Sequence, residues 1–269
     1  MAPPADDAGP APPLSAARIA AGLTTRTFGR PVEYYPRAGS TNDLARDRAV
    51  AGAPEGLLIV TDEQTAGRGR RGRRWLAPPG GAILASLLLR PRFAADDAFA
   101  PTMILGLAVC AAARAWGAPA VLKWPNDVLC GGRKLAGILC EMAFTGGRAD
   151  FVVAGFGVNV AFDPAPLGLD GVATSLSAAI PGAPPGRVAV LDRILGEAEA
   201  RYAAWQAGGY EALWQEWRAA LVTLGAVTRI DPGDGAILTG LATRVERDGA
   251  LVLATAAGER RVVAGSVLL

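Results

Sequence analysis

The amino-acid sequence predicts an α/β (α+β) chain, a mixed sheet with helices packed on it, followed by a small all-β unit. Three observations predict this. Short apolar runs bounded by turn signals, at Leu57–Asp62, Ala82–Leu89, Leu135–Ala143 and Phe151–Val160, have the length of buried strands. Longer stretches at Ala100–Trp116 and Val188–Leu221 carry helical spacing. After Leu221 the pattern changes to short β runs with turns at Asp234-Gly235, Asp248-Gly249 and Gly258, as in a small barrel or sandwich.

Residues 1–30 read as a flexible Pro/Ala-rich leader, with a short helix around Leu14–Gly22, and ordered structure is expected from near Pro31. Val32–Tyr35 is strand-like. Ser40 or Thr41 can cap a helix that runs through Leu44 to about Ala51, where Gly52 ends it. Val121–Trp124 is a strand broken by Pro125-Asn126-Asp127 and resumed at Val128–Cys130, and Gly131-Gly132 is a hairpin turn. Trp205, Trp214 and Trp217 are expected to face the core. A domain boundary falls at residues 221–222.

Composition limits the chemistry. Of 269 residues, 51% are hydrophobic and 19% charged, enough apolar material for a substantial core. The formal net charge of +2 excludes an overall basic, nucleic-acid-coating protein. The three cysteines form no CxxC pair, which points away from a disulfide framework and towards a reducing compartment. There is no histidine, so Ser-His-Asp and Cys-His catalysis and His-ligated metal sites are excluded. No apolar run approaches the roughly 20 residues that span a bilayer. With Asp6 and Asp7 at the start the chain does not resemble a secretory precursor, and a cytoplasmic location is expected.

Four segments stand out. Gln64–Trp75 packs Arg68, Arg70, Arg71, Arg73 and Arg74 among Gly67, Gly69 and Gly72, directly after a strand. Glycines let a backbone approach an anion, and guanidinium forks match carboxylates and phosphates. The alternatives are a nucleic-acid patch or a structural loop. Lys123-Trp124-Pro125-Asn126-Asp127 brings an ammonium, an amide and a carboxylate together at a strand end, where an ordinary turn would also fit. In Lys134-Leu135-Ala136-Gly137-Ile138-Leu139 a lysine enters an apolar strand and needs a partner. A hairpin would place it close to Asp127; otherwise it merely caps the edge. Gly155-Phe156-Gly157-Val158-Asn159 alternates glycines in a strand, a mark of close approach by a ligand or backbone.

In this order these segments, with Gly39-Ser40-Thr41-Asn42, resemble the biotin–protein ligases, from about Tyr34 to Val160 and more loosely beyond. The resemblance implies a catalytic domain at 31–221 related to class II aminoacyl-tRNA synthetases and an SH3-like C-terminal domain at 222–269. It implies that ATP and biotin are substrates, with Mg²⁺ expected from ATP chemistry, and that biotinyl-5′-AMP forms before transfer to a lysine of a biotin carboxyl carrier protein. Ser40, Thr41, Asn42, Gln64, Gly67, Arg68 and Gly137 would meet biotin. Arg70, Arg71, Gly72, Arg73, Trp75, Lys123, Asn126, Lys134 and Asn159 would meet the nucleotide. Arg68, Lys134 and Asp127 would carry the chemistry, Asp127 as proton acceptor or positioner for the carrier lysine. The metal ligands are unassigned. Only 39 residues precede Ser40, so no operator-binding domain and no repressor activity are expected, and neither nucleic acid nor membrane is a partner. The rivals are a lipoate–protein ligase of the same fold, a nucleic-acid-binding module and a degenerate, non-catalytic relative.

Overall fold

The computed structural model describes residues 14–93, 97–146, 148–232 and 236–268. Seven strands form the central sheet: β1 (Val32–Ala38), β2 (Leu58–Gln64), β3 (Ala82–Leu89), β4 (Ala120–Lys123), β5 (Asp127–Cys130), β6 (Arg133–Thr145) and β7 (Arg148–Asn159). Their order is β1-β2-β3-β7-β6-β5-β4. β1 and β2 are parallel and joined through a helix, as a parallel pair requires; the other pairs are antiparallel. The sheet is therefore mixed, as expected. Gly131 and Gly132 both take positive φ, 57° and 77°, which a two-residue hairpin turn demands.

Among the described residues six α-helices accompany the strands: α1 (Ala16–Gly22), α2 (Thr41–Val50), α3 (Ala100–Ala115), α4 (Leu176–Ala179), α5 (Arg187–Gln206) and α6 (Tyr210–Ala220). The 188–221 stretch is two helices because the chain turns at Gly208, φ 95°. Side chains alternate across a strand, so one strand serves two layers. Leu58, Val60, Leu87, Ala154 and Phe156 join α3 and α5 in the main core, whereas Leu57, Ile59, Leu88 and Val153 pack against Ala45 and Ala49 of α2 on the other face. The short α2 covers only part of that second face.

The expected leader needs correction. Residues 1–13 lie outside the described residues, but order begins well before Pro31. Ser15 caps α1 through its hydroxyl, and Ile19, Leu23 and Phe28 are buried. The Thr24 N–H donates to Asp192 Oδ1 at 2.6 Å. Glu199 accepts from the N–H groups of Arg26, Thr27 and Phe28 at 3.0, 2.7 and 2.8 Å. The Pro/Ala bias belongs to residues 1–13; a few large apolar residues and two carboxylates from α5 suffice to dock the rest.

The C-terminal strands β8 (Val227–Asp231), β9 (Leu238–Val245), β10 (Leu251–Thr255), β11 (Gly258–Val262) and β12 (Ser266–Leu268) form an antiparallel sheet of order β11-β10-β9-β8-β12. This agrees with an SH3-like domain. The turn expected at Asp234-Gly235 lies outside the described residues; those at Gly249 and Gly258 form, with φ 84° and 103°. Two tryptophans tie this sheet to the rest: Trp124 Nε1 donates to Gly249 O at 2.8 Å and Trp214 Nε1 to Glu246 O at 3.0 Å. Trp205 and Trp217 are buried as expected; Trp214 is partly so.

Candidate active site

A cavity opens where α2 leaves the second face of the sheet uncovered. Its floor is made by missing side chains. A Cβ on Gly155 would stand 2.1 Å from Asn42 Oδ1, and one on Gly157 would stand 2.5 Å from the Trp75 ring. One on Gly137 would stand 2.9 Å from the same ring. The alternating glycines of β7 thus serve the close approach expected of them.

The N-terminus of α2 forms the end wall. Gln64 Oε1 accepts from the Thr41 N–H at 2.8 Å and the Thr41 hydroxyl at 3.2 Å. Ser86 Oγ lies 2.7 Å from Thr41 Oγ1 and 2.6 Å from Asn42 Oδ1, with one hydrogen to give. Asn42 Nδ2 donates to Leu139 O at 3.2 Å and Glu141 Oε2 at 2.7 Å. Asn42 is therefore buried and occupied within the protein. Ser40 sits at the N-cap with no side-chain cap bond, so its hydroxyl is left to the cavity.

The β4–β5 hairpin supplies the charged side. Lys123 and Asp127 do not share one extended strand; the chain reverses through Trp124-Pro125-Asn126 and makes them cross-strand partners. Trp124 is wholly buried, which fixes the turn. Asn126 Nδ2 donates to Ile138 O at 2.6 Å and bolts the turn to β6. The Lys134 ammonium lies 2.6 Å from Asp127 Oδ1, the proximity that a hairpin predicts, and 5.4 Å from the centroid of the Trp75 ring. Burial lowers the Lys123 pKa below the ordinary lysine range; Asp127 opposes this, and Lys134 and Arg73 add to it. Lys123 Nζ donates to Val267 O of β12 at 3.2 Å.

The arginine loop closes over this arrangement. Trp75 N–H donates to Gly67 O at 3.0 Å and Gly69 N–H to Arg73 O at 2.7 Å, so the loop doubles back on itself. Gly67 is buried where a Cβ would stand 3.0 Å from Gln64 Nε2 and from Trp75 O. Three of the five arginines take different places. Arg68 makes a bidentate pair with Asp43, at 2.7 and 2.5 Å. Arg71 turns to the C-terminal sheet, 2.6 Å from Asp231 O and 3.4 Å from Asp231 Oδ1. Arg70 is half-buried in the cavity, and its guanidinium forms no hydrogen bond or ion pair among the described residues. Burial lowers its pKa and Asp127 partly restores it. With Arg68 and Arg71 paired inside the fold, the loop differs from a patch of equivalent, solvated arginines.

The cavity brings together Ser40, Thr41, Asn42, Gln64 and Gly137 at its closed end. Arg68, Arg70, Arg73, Trp75, Lys123, Asn126, Asp127 and Lys134 line its charged end. Gly67, Arg71, Gly72 and Asn159 do not line it. Asn159 lies just past the floor on β7, its Nδ2 donating to Thr174 O at 2.8 Å. Its Oδ1 and the Trp75 Nε1 are buried without a partner, two polar atoms that a ligand could satisfy. Sequence reasoning missed Ser86, Asp43 and Glu141. Ser86 was signalled as the one polar residue in the apolar run Ala82–Leu89; the acidic pair carried no signal, since its partners are distant in sequence.

Comparison with known proteins places the chain in a family. The Biotin/lipoate A/B protein ligase family model matches residues 34–159. The chain is 34% identical over 259 residues to the bifunctional ligase/repressor BirA of Bacillus subtilis strain 168, covering 95% of this chain and 79% of that protein. It is 36% identical over 245 residues to the biotin--[acetyl-CoA-carboxylase] ligase of Mycobacterium tuberculosis, covering 89% of each. The chain belongs to the biotin protein ligases. Its fold matches that of the biotin protein ligase from Aquifex aeolicus in complex with biotin and ATP, with a TM-score of 0.73 and 24% identity over 89% of this chain and 98% of that one. The family model spans biotin and lipoate enzymes alike; the relatives named here are biotin ligases. No helix among the described residues of this ligase is long and apolar enough to cross a membrane.

Proposed function

We propose that this ligase joins biotin to ATP, forming biotinyl-5′-AMP and pyrophosphate, and transfers the biotinyl group to one lysine of a biotin carboxyl carrier protein. The observation that carries this reading is the Lys134–Asp127 pair beside the Trp75 ring, at the charged end of a glycine-floored slot. The bicyclic ureido ring of biotin would occupy the slot, with Ser40, Thr41 and Gln64 Nε2 at its closed end and its carboxylate towards the cations.

In the first step a biotin carboxylate oxygen attacks the α-phosphorus and pyrophosphate leaves. Both reactants are anionic, so the work is charge neutralisation and positioning. Lys134 and Arg70 suit that task. Arg68, given the role by resemblance, is held by Asp43, and we assign the contact with the reacting anions to Arg70 instead. Asn159 Oδ1 and Trp75 Nε1 offer an acceptor and a donor to the nucleotide, while Arg73 and Lys123 stand near its phosphates. Magnesium would neutralise the phosphate charge when bound. Among the described residues that line the cavity, Asp127 is the carboxylate that would help hold such an ion through oxygen.

In the second step the carrier lysine's amine attacks the carbonyl carbon of the mixed anhydride and AMP leaves. Asp127 is placed to hold that amine and take its proton. The loop from Gly67 to Trp75 shields the anhydride from water.

Biotin-dependent ATP–pyrophosphate exchange, with lipoate as the control acid, tests the reading. Exchange with biotin alone is expected; exchange with lipoate alone, or with neither acid from folded protein and magnesium, overturns it. Asp127→Ala should slow transfer more than adenylation. Equal loss of both would make Asp127 a positioning group only.

A further inference from the structure

The arginine loop is held from two sides. On one side, Asp43 in the first turn of α2 grips Arg68 with both carboxylate oxygens, at 2.7 and 2.5 Å. Hydrogen bonding to Arg68 keeps the Asp43 carboxyl below its ordinary pKa. Asp43 also pairs with Arg46 at 3.3 Å, and Arg46 with Glu141 at 2.8 Å. Glu141 in turn bonds Asn42 in the end wall of the cavity. On the other side, Arg71 reaches β8 of the C-terminal sheet at Asp231. Arg71 has φ 59° and ψ 36°, and among the described residues no other side-chain-bearing residue has positive φ. A residue with a Cβ does not adopt that conformation without something to hold it. The turn sends Arg71 towards β8 and leaves its neighbour, Arg70, in the cavity.

We propose that Asp43 is a positioning residue for ligation: together with the β8 anchor at Asp231 it clamps the loop on either side of Arg70, so that Arg70 is presented to the reacting anions. This rests on the functional reading above. Arg68 is then an anchor and not a ligand contact, and the first turn of α2 mechanically links the end wall of the acid slot to the loop that closes it. The pair is partly solvated, with 37% and 43% of its side chains exposed, but bidentate geometry is the case in which such a pair contributes.

A double-mutant cycle tests it. Asp43→Asn, Arg68→Gln and the double variant are compared for the ATP KM in pyrophosphate exchange, and for loss of preformed, labelled biotinyl-adenylate from gel-filtered enzyme. Each single variant should raise both by roughly five-fold, as a bidentate partly exposed pair implies, with kcat changed less than KM. The double variant should be no worse than either, and Asp43→Glu should recover most of the loss. Amide hydrogen exchange across Gly67–Trp75 in unliganded protein should rise in Asp43→Asn while the melting temperature stays near wild type. Additive losses with Arg68→Gln much the worse would make Arg68 a ligand contact and overturn the proposal. Unchanged loop exchange in Asp43→Asn overturns the clamp and leaves the ligase reading standing. Wild-type protein that exchanges no pyrophosphate with biotin overturns the ligase reading, and the positioning role with it.

Discussion

The two faces of the β6–β7 pair share a backbone, a twist and a hydrogen-bond ladder, yet they do different work. Facing α3 and α5, Ala136, Ile138, Ala154, Phe156 and Val158 are buried in the main core. Facing the cavity, Gly137, Gly155 and Gly157 present no side chain, and Asn159 follows at the end of β7. Period-two alternation lets one pair of strands anchor the fold on one side and leave a slot on the other. A floor built of glycines is soft by itself, since glycine weakens a strand. Here the packed face opposite keeps it flat.

The largest effect should come from attacking the packed face. Phe156→Ala should lower unfolding free energy by about 3–5 kcal/mol, read from denaturant midpoints, while biotin affinity of the folded fraction stays within a few-fold. A large loss of affinity would mean that the two faces are not separable. Next, Lys134→Ala on the open face should slow adenylation by roughly 10²–10³-fold, as loss of a charge aimed at developing negative charge implies, with the melting temperature nearly kept. Pyrophosphate release near the wild-type rate would remove Lys134 from the reaction. Gly157→Ala places a methyl against the Trp75 ring and should weaken biotin binding by roughly ten-fold, the usual scale of overpacking. Calorimetric titration showing unchanged affinity would show that Trp75 moves aside without consequence. The smallest effect concerns pH. Because the Asp43 carboxyl is held below its ordinary value of 3.8, its contribution is present above that value and lost as the pH falls through the lower folded value. Between wild type and Asp43→Asn the melting curves should therefore differ above pH 4 and converge in stronger acid. The difference should be about 1 kcal/mol or less for so exposed a pair.

Much of this was legible in the sequence because it is local. Strands at 82–89 and 151–160, the glycine hairpin at 131–132 and the tryptophans of α5 and α6 follow from periodicity and turn chemistry over a few residues. The nearness of Lys134 to Asp127 followed from one hairpin. What misled was averaging: residues 1–30 read as one leader because the Pro/Ala bias at the start hid Ile19, Leu23 and Phe28, which dock on α5.

The division of labour among the arginines was not legible. All five sit in one glycine-rich stretch and look alike as a string. Sequence by itself determined that this loop is cationic, that it follows a strand, and that no histidine is available to the site. Tertiary structure decided which arginines are paired and that the Arg70 guanidinium is left in the cavity. Asp43 lies 25 residues from Arg68 and Asp231 lies 160 residues from Arg71, and a guanidinium goes to whichever carboxylate the fold brings within reach. Charge type is written residue by residue; charge pairing is a property of distance, and distance belongs to the folded chain.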